Sequence, residues 1–283
     1  MRGVIGYATA AALLVPLGSV GADQPLGDIW RRQSEAIVVT ACPAGGDSDS
    51  SCRGLVARRG KQAVRLGAGY NVGKVLWSGK ASAASPDVVL LGDSGGSGGA
   101  GDLFAVTFAD PIHVRRLQGE RMDWARAQRA SNRLHLEVAF NIEYFNGVPH
   151  AGVSIVPLPI VWSHGDFAID LAALTKRPAI TARESRAIAR ELDAWARAER
   201  SGTMPNGTVS TVTILATLML SGRTLEARRL LHTAWPRQFH GEAAFWNSLC
   251  AAIVAHPWWT RFGLRRIPEA SRIVAASRAE PRL

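Results

Sequence analysis

The string Gly92-Asp-Ser-Gly-Gly96 invites a catalytic reading, because a serine between glycines beside a carboxylate is a setting for a nucleophilic hydroxyl. Chain order argues against the trypsin-like form of that chemistry. There the general-base histidine and its aspartate precede the serine, whereas His113, the first histidine of this chain, follows Ser94. A serine activated by a later histidine survives this argument. The partner would be His150, which closes Phe145-Asn-Gly-Val-Pro-His150 just after Glu143. Asp93, Ser94, Glu143, Asn146 and His150 are therefore the candidate ligand-binding residues. A hydrolase would draw on the same loops, but no catalytic residue is assigned.

Other chemistry finds less support. The glycine-rich segment from Gly92 to Asp102 would need a helix and a lysine after it to cradle phosphate, and a strand pattern follows instead. Asp93 and Asp102 fall far short of the six or more oxygens calcium requires. His164-Gly-Asp166 and His150 lack HExxH or CxxC spacing, so no metal and no cofactor is expected. Cys250 sits in Ala243-Ala-Phe-Trp-Asn-Ser-Leu-Cys-Ala-Ala-Ile-Val254, an apolar helical context that suits a buried, inert thiol. Trp235, Trp246, Trp258 and Trp259 share that helical setting and read as core aromatics rather than a sugar-stacking platform.

The elements that must position these residues come in two kinds. Ile37-Val-Val-Thr40, Ala63-Val-Arg-Leu66, Val75-Leu-Trp77, Val88-Val-Leu-Leu91, Leu103-Phe-Ala-Val-Thr107 and Ile112-His-Val-Arg-Arg-Leu117 are short strand patterns bounded by Gly, Asp, Ser and Pro. Arg133 to Phe140 alternates cleanly, putting Leu134, Leu136, Val138 and Phe140 on one face. Gly152 to Trp162 is a further strand, which Pro157 and Pro159 mark as an edge or bulged one. Gln118 to Ala130 reads as a helix inserted among the strands.

From Lys176 the period becomes helical. Thr181-Ala-Arg-Glu184 is a capping box opening a helix to about Arg200, with Ile188, Leu192 and Trp195 on one side. Thr208 to Ser221, Thr224 to Trp235 and Gly241 to Ala255 follow as three more helices, punctuated by Gly222, Pro236 and Pro257. The expected fold class is α+β: a β-rich N-terminal domain over 23–175, made of antiparallel hairpins in a sandwich or blade-like arrangement, and a helical domain over 176–262. Residues 263–283 read as a basic, poorly ordered tail.

Composition and termini bound the setting. With 47% hydrophobic and 20% charged residues, the 283-residue chain is neither disordered nor fibrous. Arg2, the uncharged run from Gly3 to Leu17 and the small residues Gly18 to Ala22 make residues 1–22 an expected secretory signal peptide. No later run is apolar enough to span a membrane. The expected location is periplasmic or secreted, where Cys42 and Cys52 would pair in a disulfide across a turn-rich loop.

The formal charge of +10 comes almost wholly from arginine, since Lys61, Lys74, Lys80 and Lys176 are the only lysines. Export argues against nucleic acid as the partner. An anionic envelope component, or another envelope protein, is the expected partner class. Basic residues concentrate at Arg115, Arg116, Arg121, Arg126, Arg129 and Arg133, and again at Arg261, Arg265 and Arg266.

The succession Asp93-Ser-Gly-Gly96, Leu103-Phe-Ala-Val-Thr-Phe108, Ile142-Glu-Tyr-Phe-Asn-Gly-Val-Pro-His-Ala-Gly152 and Leu158-Pro-Ile-Val-Trp-Ser-His-Gly-Asp-Phe167 resembles a group of exported bacterial proteins. In these, β-hairpins of the FG-GAP and VCBS kind precede a helical tail. Leu218-Met-Leu-Ser-Gly222, Ala234-Trp-Pro236 and His256-Pro-Trp-Trp259 are similar to that tail. Gly101-Asp-Leu103 follows the glycines where the group carries acidic repeats or a His-Cys-Cys, so the resemblance carries over no metal or redox role. It implies a blade-like fold and no catalytic residue. The function expected is a non-enzymatic binding module of the cell envelope. The alternatives are a secreted hydrolase with its site near Ser94 and His150, and a structural or assembly protein acting through its helical tail.

Overall fold

Val88-Val-Leu-Leu91 and Leu103-Phe-Ala-Val106 are apolar at every position, and a strand patterned this way has to be covered on both faces. A computed structural model shows how. It describes residues 25–41, 53–70, 72–94, 99–119, 121–128, 133–143, 145, 153–176, 179–202 and 208–279. The expected leader, Cys42, Cys52, Asn146 and His150 lie outside the described residues.

Among the described residues, twelve strands form three antiparallel sheets of four. The first contains β1 (Pro25–Arg32), β2 (Glu35–Ala41), β3 (Arg53–Arg59) and β4 (Gln62–Tyr70). The second contains β5 (Val72–Ser78), β6 (Val88–Asp93), β7 (Gly101–Thr107) and β8 (His113–Gly119). The third contains β9 (Arg126–Gln128), β10 (His135–Ile142), β11 (Ser154–Ser163) and β12 (Asp166–Ile169). In each sheet, strands adjacent in sequence are adjacent in space, so each is a meander. The helical part follows, giving the α+β class.

The second sheet is the middle layer. Val88, Leu90, Phe104 and Val106 join Ile37, Leu55, Ala57 and Leu66 of the first sheet in one buried cluster. Val89, Leu91, Leu103 and Ala105, pointing the other way, belong to a larger cluster with Leu136, Phe140, Val156, Leu158 and Ile160 of the third sheet. That cluster continues into the helices through Leu192, Leu215, Leu249 and Trp259, so sheet and helix share one core. Burial of each such Val, Leu, Ile or Phe side chain stabilises the fold by about 1.5–3 kcal/mol.

Three expectations are corrected. First, β11 is an interior strand between β10 and β12, in unbroken register with β10 from Ser154 to Val161. Its prolines are tolerated because β12 pairs only with Ile160 to Ser163, leaving the edge beside Pro157 and Pro159 free of a strand. The Pro159 carbonyl points to that edge and accepts from the Asp170 N–H at 2.9 Å, so the missing proline N–H groups cost no bond to β10.

Second, the helix expected over Gln118 to Ala130 is not formed in the described residues of that range, 118–119 and 121–128. β8 runs through Gly119, a 3-10 turn spans Met122–Trp124, and β9 follows. Arg121 is left-handed at φ 54°, and the Met122 N–H donates to the Gly99 carbonyl at 2.8 Å. Sheet pairing and the burial of Met122 outweigh the weak helical preference of the segment.

Third, the expected disordered tail is folded as far as residue 279. A 3-10 turn at Leu264–Arg266 leads into a helix at Ala270–Ser277, and Leu264, Ile267, Ala270 and Ile273 are buried. The three-residue spacing of Ile267, Ala270 and Ile273 gives the segment an apolar side that closes the helical layer.

The helices are α1 (Leu171–Thr175), α2 (Ala182–Ser201), α3 (Val209–Leu220), α4 (Thr224–Ala234), α5 (Glu242–Ala255), α6 (Pro257–Arg261) and α7 (Ala270–Ser277). The capping box at Thr181 and Glu184 is formed on both sides.

Candidate functional site

β6 and β7 hold the glycine-rich hairpin by pairing Gly92 with Asp102 and Asp93 with Gly101. Ser94 closes it: its backbone N–H donates to the Ala100 carbonyl at 3.0 Å and its hydroxyl donates to the same oxygen at 2.6 Å. The Ser94 hydroxyl is thus hydrogen-bonded within its own hairpin.

Asp102, at the other end of the hairpin, is buried and fully engaged. Arg116 on β8 donates to its two oxygens at 2.7 and 2.8 Å, and the Tyr70 hydroxyl donates at 2.5 Å. Burial, aided by this bond to Asp102, pushes the Tyr70 phenol well above its ordinary range. The hydrogen bond to Asp102 likewise raises Arg116. A carboxylate held by a guanidinium and a phenol is a structural pin between the first two sheets, not a ligand left open for calcium.

Glu143 lies past the end of β10 and accepts from Asn141 Nδ2 at 2.6 Å. Asn141 Oδ1 faces His256 Nε2 at 3.3 Å, and His256 Nδ1 accepts from the Trp258 N–H at 3.1 Å, capping α6. These bonds define the neutral tautomer with its proton on Nε2. Burial pushes His256 down to about 4, so it stays neutral. Trp258 Nε1 donates to the Gln118 carbonyl at 3.0 Å, and a Cβ on Gly119 would sit 2.6 Å from the Trp258 ring.

A continuous path of contacts thus runs from Gly99 through Met122, Gly119, Trp258, His256 and Asn141 to Glu143. Of the candidate residues, the structure places Asp93 and Ser94 on the hairpin and Glu143 at the end of that path.

Sequence reasoning missed a cleft between α4 and α5. It measures about 600 Å3 and is lined by His232, Trp235, Arg237, Phe239, His240 and Glu242, among others. Glu242 sits between Arg228, at 2.6 Å, and His232 Nδ1, at 3.0 Å. His232 and Glu242 are only ten residues apart across Pro236, the one signal in the sequence that could have paired them. Among the described residues, no three His, Cys, Asp or Glu side chains are grouped to hold a metal.

The chemistry that emerges is one of fixed polar pins. Comparison with known proteins found no matching family, curated protein or solved structure.

Proposed function

We propose that the chain is an exported, non-enzymatic binding module of the bacterial cell envelope, periplasmic or secreted, with blade-like sheets of the FG-GAP and VCBS kind. The observation that carries this reading is the engagement of polar groups at the glycine hairpin. Ser94 donates to a carbonyl, and Asp102 is held by Arg116 and Tyr70. The meander connectivity of each sheet supports the blade-like part. Assembly through an apolar helical surface finds less support. Among the described residues, the large exposed hydrophobics are Leu26, Trp124 and Leu225, set on three different elements.

The test is co-sedimentation of the full chain, after leader removal, with washed bacterial envelopes, alongside labelling with a fluorophosphonate probe. Saturable binding without labelling is expected. Stoichiometric labelling that is lost in Ser94→Ala overturns the reading in favour of the hydrolase.

A further inference from the structure

The arginines that cluster in the sequence are mostly occupied. Arg116 is held by Asp102, Arg121 lies by Asp123, Arg261 pairs with Asp166, and Arg115 and Arg126 donate to carbonyl oxygens. A different set stands free on α2. Ile188, Leu192 and Ala196 form its buried side. At about 100° per residue, Arg183, Arg186, Arg190 and Arg197 fall within an arc of about 60° centred about 150° from that side, and span about 21 Å of helix axis. All four are exposed, and none has a side-chain partner among the described residues.

Arg183, Arg186 and Arg190 border a shallow groove of about 470 Å3 together with Ala189 and Asp193. The acidic residues of α2 do not neutralise the row. Glu184 caps the helix, Glu191 accepts from Thr211 on α3, Glu199 falls on the side of the helix away from the row, and among the described residues Asp193 makes no ion pair with the four arginines.

We infer that the outer face of α2 is a docking surface for a linear acidic polysaccharide bearing carboxylates; this rests on the envelope-binding reading above. Three features select that occupant. A single file of guanidinium groups matches a chain lying along the helix, whereas a membrane plane calls for a patch several cations wide. Each planar guanidinium can hold a carboxylate through two parallel hydrogen bonds. Asp193 in the groove accepts hydrogen bonds from sugar hydroxyls and disfavours a densely charged polyphosphate. The apolar side of α2 is buried in the protein, so this helix cannot insert among lipids.

The experiment measures binding of the full chain to polygalacturonate, to neutral dextran and to phosphatidylglycerol vesicles, with washed envelopes as a parallel arm. Polygalacturonate should bind, dextran should not, and affinity should fall steeply with salt as counterions are released. The variant Arg183→Gln/Arg186→Gln/Arg190→Gln/Arg197→Gln should lose more than about tenfold in affinity and show a shallower salt dependence. A charge-matched control, Arg229→Gln/Arg237→Gln/Arg265→Gln/Arg272→Gln, should stay within about twofold. All eight positions are exposed, so circular dichroism should show both variants folded.

Equal losses in the two variants would reduce the effect to net charge and overturn the surface. A preference for vesicles over polygalacturonate would overturn the occupant. If the wild type binds envelopes and the α2 variant binds them equally well, this inference fails while the envelope reading stands. If the wild type binds neither, both fail.

Discussion

The imidazole of His256 lies against the ring of Phe140, centroids 4.0 Å apart and planes 27° from parallel, while its edge reaches Asn141 on the same strand. A helix cap is thereby stacked on a sheet residue 116 positions earlier in the chain, and its charge state becomes part of the fold. Burial lowers the folded value from 6.5 to about 4. Between those values the unfolded chain takes up a proton that the native ring refuses, so unfolding is favoured as pH falls. This contribution to stability is fully present above about pH 6.5 and is lost progressively down to about pH 4, amounting to about 3 kcal/mol. Urea unfolding at steps from pH 7.5 to 4.5 should show the decline. In His256→Gln the decline should be shallower, and equal slopes would remove His256 as its source.

Asp102 gives a second prediction. Asp102→Asn removes the charge that Arg116 and Tyr70 both address. The expected loss is about 2–3 kcal/mol, below that of a fully buried pair because Arg116 is half exposed. Tyr70→Phe deletes one hydrogen bond and should cost about 1 kcal/mol. Denaturant midpoints of the two variants and the double variant measure the coupling, and strictly additive losses would contradict a shared pin.

How much of this was legible in the sequence depends on the range of the interaction involved. β6 and β7 announced themselves because burial on both faces leaves only apolar residues. β3 did not, since Arg53, Arg58 and Arg59 and the small Gly54 disguise a strand whose middle, Leu55 to Ala57, is buried. β12 is four residues long and was too short to show a period. The capping box was readable because both partners lie within one turn. The polar pins were not: Tyr70 and Asp102 are 32 residues apart, and Asn141 and His256 are 115 apart. No local spacing encodes such pairs. The same limit hid the α2 arginines, which look scattered in sequence and fall into line only once the buried face of the helix is known.

Cysteine chemistry provides a third prediction. Cys250 is fully buried on α5, and burial pushes its thiol up to about 12. Alkylation by iodoacetamide proceeds through the thiolate. In the native full chain Cys250 should remain unlabelled over hours, and in urea it should label to completion. The disulfide proposed between Cys42 and Cys52 predicts that a non-reducing digest yields one linked peptide pair containing neither Cys250 nor a second chain. Rapid native labelling of Cys250 would contradict its packing.

The last prediction concerns the turn between α3 and α4 and the segment that closes over it. Gly222 has φ +81°, and a Cβ there would sit 2.8 Å from both Cβ and Cδ of Pro268. Glu269, the next residue, accepts from the Leu225 N–H at 2.8 Å, satisfying a donor in the first turn of α4. Gly222→Ala therefore imposes two costs: about 1 kcal/mol for a left-handed L-residue, and the displacement of Pro268 together with the segment leading into α7. A combined loss of about 2–3 kcal/mol is expected, as for other strained or overpacked sites. Gly202 supplies the control, because it is also left-handed, at φ +65°, but nothing lies within 4 Å of its Cβ position. Gly202→Ala should show the conformational cost alone, about 1 kcal/mol. Pro268→Ala introduced into Gly222→Ala should recover part of the difference, since it removes Cγ and Cδ, two of the three ring carbons that crowd the new methyl group, and leaves only Cβ. Urea midpoints of the four proteins decide the matter. Equal losses at Gly222 and Gly202 would show that the segment from Leu264 to Ser277 is not seated on the α3–α4 turn.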